Sequence, residues 1–154
     1  MSVRIRDAES TDAAAVAALL AEMGYPTSES AAQAHIQRFS APPSSRLQLA
    51  EHDGDVVGLI ATHLVPRMDD DALTCRVTDL VVSSRLRRGG IGSALLDAAE
   101  AHARSAGAPR LDLSSGDWRE EAHAFYLAAG FESRSRSFVK RLLDVPAPVP
   151  ITGF

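Results

Sequence analysis

The chain has 154 residues, 45% of them hydrophobic, which suits one domain with a sizeable core. Its formal net charge is -4, with acidic and basic residues mixed along its length, and no lysine or arginine stripe of the kind that tracks a phosphate backbone is present, so nucleic acid is excluded as a partner. Cys75 is the only cysteine, which rules out an intramolecular disulfide and a cysteine-rich zinc site and fits a reducing compartment.

In chain order, residues 3–6 alternate apolar and polar as a half-buried strand does. Ser10 or Thr11 then offers a hydroxyl to cap the alanine-rich helix that runs to Glu22. Gly24, Tyr25 and Pro26 stop that helix, and a second one over residues 28–39 ends before Pro42-Pro43. Strands at 47–51 and 56–64 flank His52-Asp53-Gly54-Asp55, whose Asp-Gly step supplies the positive backbone angle of a tight hairpin. After the acidic loop Asp69-Asp70-Asp71, residues 73–82 form a long strand. Residues 91–106 have helical spacing, with Ile91, Leu95, Ala98, Ala99 and His102 on one stripe. Gly107 and Pro109 close that helix; residues 110–113 form a strand, residues 120–129 a helix ended by Gly130, and residues 131–143 an extended segment. The expected organisation is one domain over 1–144 and a proline-rich tail over 145–154. Residues 1–8 give a strand in place of a charged-then-apolar leader, and no apolar run approaches the roughly 18 to 20 residues that cross a bilayer, so the expected location is the cytoplasm, with no membrane partner.

The chemistry concentrates at Arg87-Arg88-Gly89-Gly90-Ile91-Gly92-Ser93, between the long strand and the third helix. Unpaired backbone N–H groups at a helix start converge on one point, where the helix dipole favours negative charge by roughly 0.3 to 1 kcal/mol. Such a turn is suited to a pyrophosphate: Gly90 and Gly92 would let oxygens approach, and Arg87 and Arg88 would add charge at the rim. A P-loop would need Gly-Lys-Ser/Thr, and a dinucleotide fingerprint a glycine where Leu95 stands, so both are excluded.

The spacing Arg87-x-x-Gly90-x-Gly92, after Thr78-Asp79-Leu80-Val81-Val82, resembles the coenzyme A motif of the GNAT family of N-acetyltransferases. Ala122-His123-Ala124-Phe125-Tyr126-Leu127-Ala128-Ala129-Gly130-Phe131 is similar to a second hallmark of that family, a helix ending in Phe-Tyr followed by Gly-Phe. The resemblance covers residues 3–143. It implies an α+β fold: a mixed, mostly antiparallel sheet with about four helices, whose fourth and fifth strands splay apart around acetyl-coenzyme A as cosubstrate. It further implies direct transfer of the acetyl group to a small-molecule amine, and a homodimer.

On that resemblance Leu80, Val81, Val82, Arg87, Arg88, Gly89, Gly90, Ile91, Gly92, Ser93, Arg119 and Tyr126 would contact the cofactor. Val82 would do so through a backbone N–H that holds the thioester carbonyl. Many relatives carry asparagine near the start of the last helix, where this chain has Arg119. Tyr126 aligns with the family's general acid, a phenol that protonates the departing thiolate. For the general base Asp79 comes first, on a strand position where relatives often carry a carboxylate, with His63 and His123 as alternatives and as residues near the acceptor. These three do not form a metal-binding spacing, and no metal is expected.

Within the family, the stretches around Asp53–Gly58, Asp79–Val82 and Ala122–Leu127 look most like aminoalkylphosphonate acetyltransferases. Arg134, Arg136 and Lys140 would then supply cationic donors to a phosphonate, or would simply guard a solvated edge. Aminoglycoside or peptide acetylation is the alternative, with the loop Asp69-Asp70-Asp71 attracting a polycation, and a non-catalytic acyl-coenzyme A sensor is a third reading.

Overall fold

The computed structural model describes residues 2–144; the tail expected over 145–154 lies outside them. In chain order the elements are β1 (Arg4–Asp7), α1 (Ala13–Glu22), α2 (Glu29–Ser40), β2 (Ser45–His52), β3 (Asp55–Val65), β4 (Thr74–Val82), α3 (Ile91–Ser105), β5 (Arg110–Asp112) and α4 (Glu120–Ala128). The strands form one sheet in the order β1-β2-β3-β4-β5. The first three junctions are antiparallel, and β4 with β5 is parallel.

The central strands explain why helices cover both faces. In β3 the run from Val57 to Thr62 is buried at every position, as expected of a strand with packed layers above and below. On one side Leu47, Leu49, Leu59, Ala61 and Val81 meet α1 and α2 through Val16, Leu19 and Ile36. On the other side Ile60, Val77 and Val82 meet α3 and α4 through Ile91, Leu95, Ala99, Ala122 and Tyr126. The β2–β3 hairpin turns at Asp53 (φ 52°) and Gly54 (φ 84°), the left-handed pair that its Asp-Gly sequence predicts.

Two expectations are corrected. The start of the first helix is not capped by the Ser10 or Thr11 hydroxyl. Residues Ser10–Asp12 form a 3-10 turn, and Glu9 and Asp12 form a reciprocal capping box. Asp12 wins because it also serves Arg6: both its carboxylate oxygens accept from that guanidinium at 2.8 Å, and Oδ2 accepts the Glu9 N–H at 2.8 Å. Second, among the described residues the segment after Phe131 joins no strand, and residues 132–144 are exposed. Residues 132–137 are polar at every position, so the segment has no apolar face to bury there.

The feature that positions the site is where β5 stops. It pairs with Thr74, Cys75 and Arg76, so among the described residues β4 from Val77 to Val82 has no strand on that edge. Just beyond this point Ala61 pairs with Asp79 but Thr62 with Val77, leaving Thr78 as an extra residue. Such a bulge bends its strand and increases the local twist, and it falls where the pairing with β5 has ended.

Candidate active site

The end of β4 leads through a 3-10 turn, Ser84–Leu86, to the glycine-rich turn. Gly90, at φ 80°, is the N-cap of α3. That left-handed conformation costs a side chain about 1 kcal/mol or more, which is why glycine stands there. The first helical bond runs from Ala94 N–H to Gly90 C=O at 3.0 Å. The amides of Ile91, Gly92 and Ser93 therefore fall in the first turn, where no intrahelical acceptor exists. They open on a cavity of 490 Å³ lined by Val82, Leu86, Arg87, Arg88, Gly90, Ile91, Gly92 and Ser93, with Glu121, Ala124 and Phe125 of α4 as the opposite wall. Gly92 also has an intramolecular reason to be glycine: a Cβ there would sit 3.1 Å from Phe125 Cζ. The turn thus has the free amides, the positive rim and the size that a pyrophosphate-bearing ligand requires.

The ladder between β3 and β4 fixes where the last amides of β4 point. Ser83 N–H donates to Val57 C=O at 2.8 Å, making Ser83 and Val57 a hydrogen-bonded pair. The neighbouring pair, Val82 with Gly58, is then of the non-bonded kind, and so is Leu80 with Ile60. The N–H groups of Val82 and Leu80 accordingly face away from β3, toward the edge that β5 leaves open. Val81 turns its side chain into the α1/α2 layer.

The bulge also decides which face carries the acid. Asp79 pairs with Ala61, whose side chain lies in the α1/α2 layer, so Asp79 is exposed on that side, next to the bulged Thr78. His63 joins them: its Nε2 is 3.1 Å from Thr78 Oγ1, its Nδ1 2.9 Å from Ser45 Oγ, and its ring lies 5.1 Å from that of Phe39 in α2. His123 is placed elsewhere. Its Nε2 lies 2.8 Å from Gly116 C=O, and since a carbonyl only accepts, this nitrogen carries the proton and braces the loop before α4. The structure therefore brings His63 and Asp79 to one face and leaves His123 as a brace.

Tyr126 is buried on α4, with its ring 5.4 Å from Phe125 and 5.7 Å from Phe131. Burial pushes the phenol up from its ordinary pKa, opposed by the positive charge of Arg119. It is consequently protonated at neutral pH and able to donate. Phe125 forms the cavity wall and Tyr126 packs beside it; Leu80, Val81, Gly89, Arg119 and Tyr126 do not line the cavity itself. Among the described residues no three His, Cys, Asp or Glu side chains converge as a metal site. No described helix is long and apolar enough to cross a membrane.

Sequence reasoning missed the far wall, Glu121, Ala124 and Phe125, because only the fold sets α4 opposite α3. It missed the bulge although a signal was present: the polar doublet Thr78-Asp79 breaks the polar-apolar alternation of Thr74–Val77. It also missed Glu22, whose Oε1 accepts from Ser83 Oγ at 2.9 Å, Ser84 N–H at 2.8 Å and Ser84 Oγ at 2.5 Å.

Comparison with known proteins bears on this geometry. The acetyltransferase (GNAT) family model matches residues 13–131. The chain is 35% identical over 141 residues to an aminoalkylphosphonate N-acetyltransferase of Salmonella typhimurium, covering 90% of each. A transcriptional regulator from Bacillus halodurans C-125 has the same fold, with a TM-score of 0.83 at 22% identity over 92% of this chain and 100% of that one. So has the aminoglycoside N-acetyltransferase AAC(6')-Iy in complex with CoA, with a TM-score of 0.80 at 16% identity over 91% of this chain and 94% of that one. With a family match across most of its length and a splayed, glycine-cradled sheet to go with it, the chain belongs to the GNAT family and is an acetyl-CoA-dependent N-acetyltransferase.

Proposed function

We propose that the chain acetylates the primary amine of a small anionic molecule, with an aminoalkylphosphonate as the leading acceptor. The observation that carries this reading is the 35% identity, over 90% of both chains, to an aminoalkylphosphonate N-acetyltransferase. The acidic loop weakens the polycation alternative. Asp69 is paired with Arg67 at 2.8 Å and Asp70 with Arg110 at 2.6 Å, so two of its three charges are already answered within the chain.

In this reading the amides of Ile91, Gly92 and Ser93 hold the pyrophosphate of acetyl-coenzyme A, with Arg87 and Arg88 at the rim. The Val82 N–H holds the thioester carbonyl and stabilises the oxyanion that develops as the amine attacks. Asp79, beside Thr78 and His63 on the α1/α2 face, takes the proton from the incoming ammonium. Tyr126 donates its proton to the departing sulfur, and its burial keeps that proton available. Arg134, Arg136 and Lys140, all exposed, are the cations outside the cradle that suit a phosphonate, although they lie on a segment that forms no strand.

The test is a panel of amines incubated with acetyl-coenzyme A and read by thiol release: aminoalkylphosphonates, aminoglycosides, polyamines, amino acids and peptide amino termini. The expected result is a kcat/KM for an aminoalkylphosphonate well above that of every other class. An inert phosphonate alongside a rapidly acetylated aminoglycoside would overturn the assignment.

A further inference from the structure

Glu22 is the last residue of α1, where the helix dipole disfavours a carboxylate. Its place there therefore calls for a local reason, and the three donors on its Oε1 supply one. The Ser84 hydroxyl foremost, with Ser83 and the Ser84 amide, holds the carboxyl below its ordinary range, so it is ionised at neutral pH.

The donors belong to the segment that joins the open end of β4 to the cradle. Ser83 directly follows Val82 and is itself buried. From it a run of backbone bonds continues to the glycines: Leu86 N–H to Ser83 C=O at 3.1 Å, then Gly89 N–H to Leu86 C=O at 3.3 Å. The next residue of the α1 end, Met23, adds a second hold, its Sδ lying 3.7 Å from Arg87 Nη2. The start of this run is thus tied to α1 and its far end is Gly90.

We infer that Glu22 is a positioning residue for the acyl donor, its carboxylate fixing the segment between Val82 and Gly90 so that the carbonyl-binding amide and the pyrophosphate-binding amides keep their separation. This rests on the cradle's being the acetyl-coenzyme A site. Glu22 does not touch the reacting atoms; it acts through Ser83 and Ser84.

The experiment compares wild type, Glu22→Ala, Glu22→Gln and Ser84→Ala by steady-state kinetics and by calorimetric titration with coenzyme A. Glu22→Ala is expected to raise the KM for acetyl-coenzyme A and the Kd for coenzyme A about tenfold, with the acceptor KM within about twofold of wild type. Glu22→Gln keeps a carbonyl oxygen to accept these bonds and is expected to restore affinity to within about threefold. Ser84→Ala removes one donor from an exposed residue and should fall between; it carries the test if Glu22→Ala does not fold. Unchanged coenzyme A affinity in folded Glu22→Ala, or equal losses toward donor and acceptor, overturns the inference alone. A wild type that binds no coenzyme A in the same titration overturns the cradle reading beneath it.

Discussion

At the scale of single residues, Tyr126 and the two glycines of the cradle make separable contributions. Removing only the hydroxyl, Tyr126→Phe keeps the ring against Phe125 and Phe131 and is expected to lower kcat by about 10² to 10⁴, the usual worth of a positioned acid. Coenzyme A affinity should stay as it was, and a kcat within a factor of two of wild type would remove the phenol from the mechanism. Because burial raises its pKa, the acid form persists to higher pH than for a free tyrosine, and the alkaline limb of kcat against pH should lie above about 10. Gly90 and Gly92 would both weaken coenzyme A binding on mutation to alanine, for different reasons. Gly90→Ala strains a backbone held at φ 80°, with nothing within 4 Å of its Cβ. Gly92→Ala pushes on the Phe125 ring. Shortening that ring with Phe125→Leu should restore affinity to Gly92→Ala and leave Gly90→Ala impaired; rescue of both, or of neither, would show that the two glycines do not differ in this way.

At the scale of elements, the entry to α1 gives a pH-dependent prediction. Asp12 is nearly buried between Arg6 and the Glu9 amide, and the Arg6 guanidinium foremost holds its carboxyl below the ordinary value. A carboxylate whose pKa falls on folding adds stability above its unfolded value of about 3.9 and loses it as pH falls through the folded value. Asp12→Ala should therefore destabilise the fold by about 2 kcal/mol at pH 7, as expected for hydrogen bonds to a charged group, with the gap to wild type narrowing in acid below pH 4. A gap that does not change with pH would assign the loss to packing instead. The same corner shows what was legible in the sequence. Periodicity and turn chemistry located α2, the Asp53-Gly54 hairpin and α3 to within a residue or two at most boundaries, because their signals are local. The entry to α1 was not legible because Ser10, Thr11 and Asp12 all suit a cap, whereas Asp12, held by Arg6 of β1, accepts the Glu9 amide at the start of the preceding 3-10 turn. The glycine-rich turn of residues 87–93, which starts α3 and lines the cavity, was legible as a turn between strand and helix. The grouping of Asp79, Thr78 and His63 was not, because it depends on a bulge that shifts the register of one strand against another.

At the scale of the whole molecule, the sheet is a continuous scaffold on one side of β4 and an opening on the other. The ladder runs from β1 through β4 with register shifts after Ala50 and Ala61, whereas β5 contributes three residues and leaves the last part of β4 facing the space that α3 and α4 enclose. Acetyl-coenzyme A held there would act as the missing neighbour of β4, joining α3 and the strand edge in one bound unit. Hydrogen exchange can detect this at named amides. In the free protein the Val82 and Leu80 N–H groups, turned to the open edge, should exchange faster than that of Val81, which the register pairs with Leu59. Saturation at about 100 times Kd stabilises the folded state by about 2.7 kcal/mol overall, raising protection throughout regions that exchange by global unfolding. Beyond that uniform gain, acetyl-coenzyme A should give Val82 and the first-turn amides Ile91, Gly92 and Ser93 an added slowing of their own. Coenzyme A lacking the acetyl group should reproduce the slowing at α3 and lose it at Val82, because only the thioester supplies a carbonyl to that amide. Equal slowing of Val82 by both ligands would mean that the strand edge senses the pantetheine arm, and the carbonyl would then have to be held elsewhere.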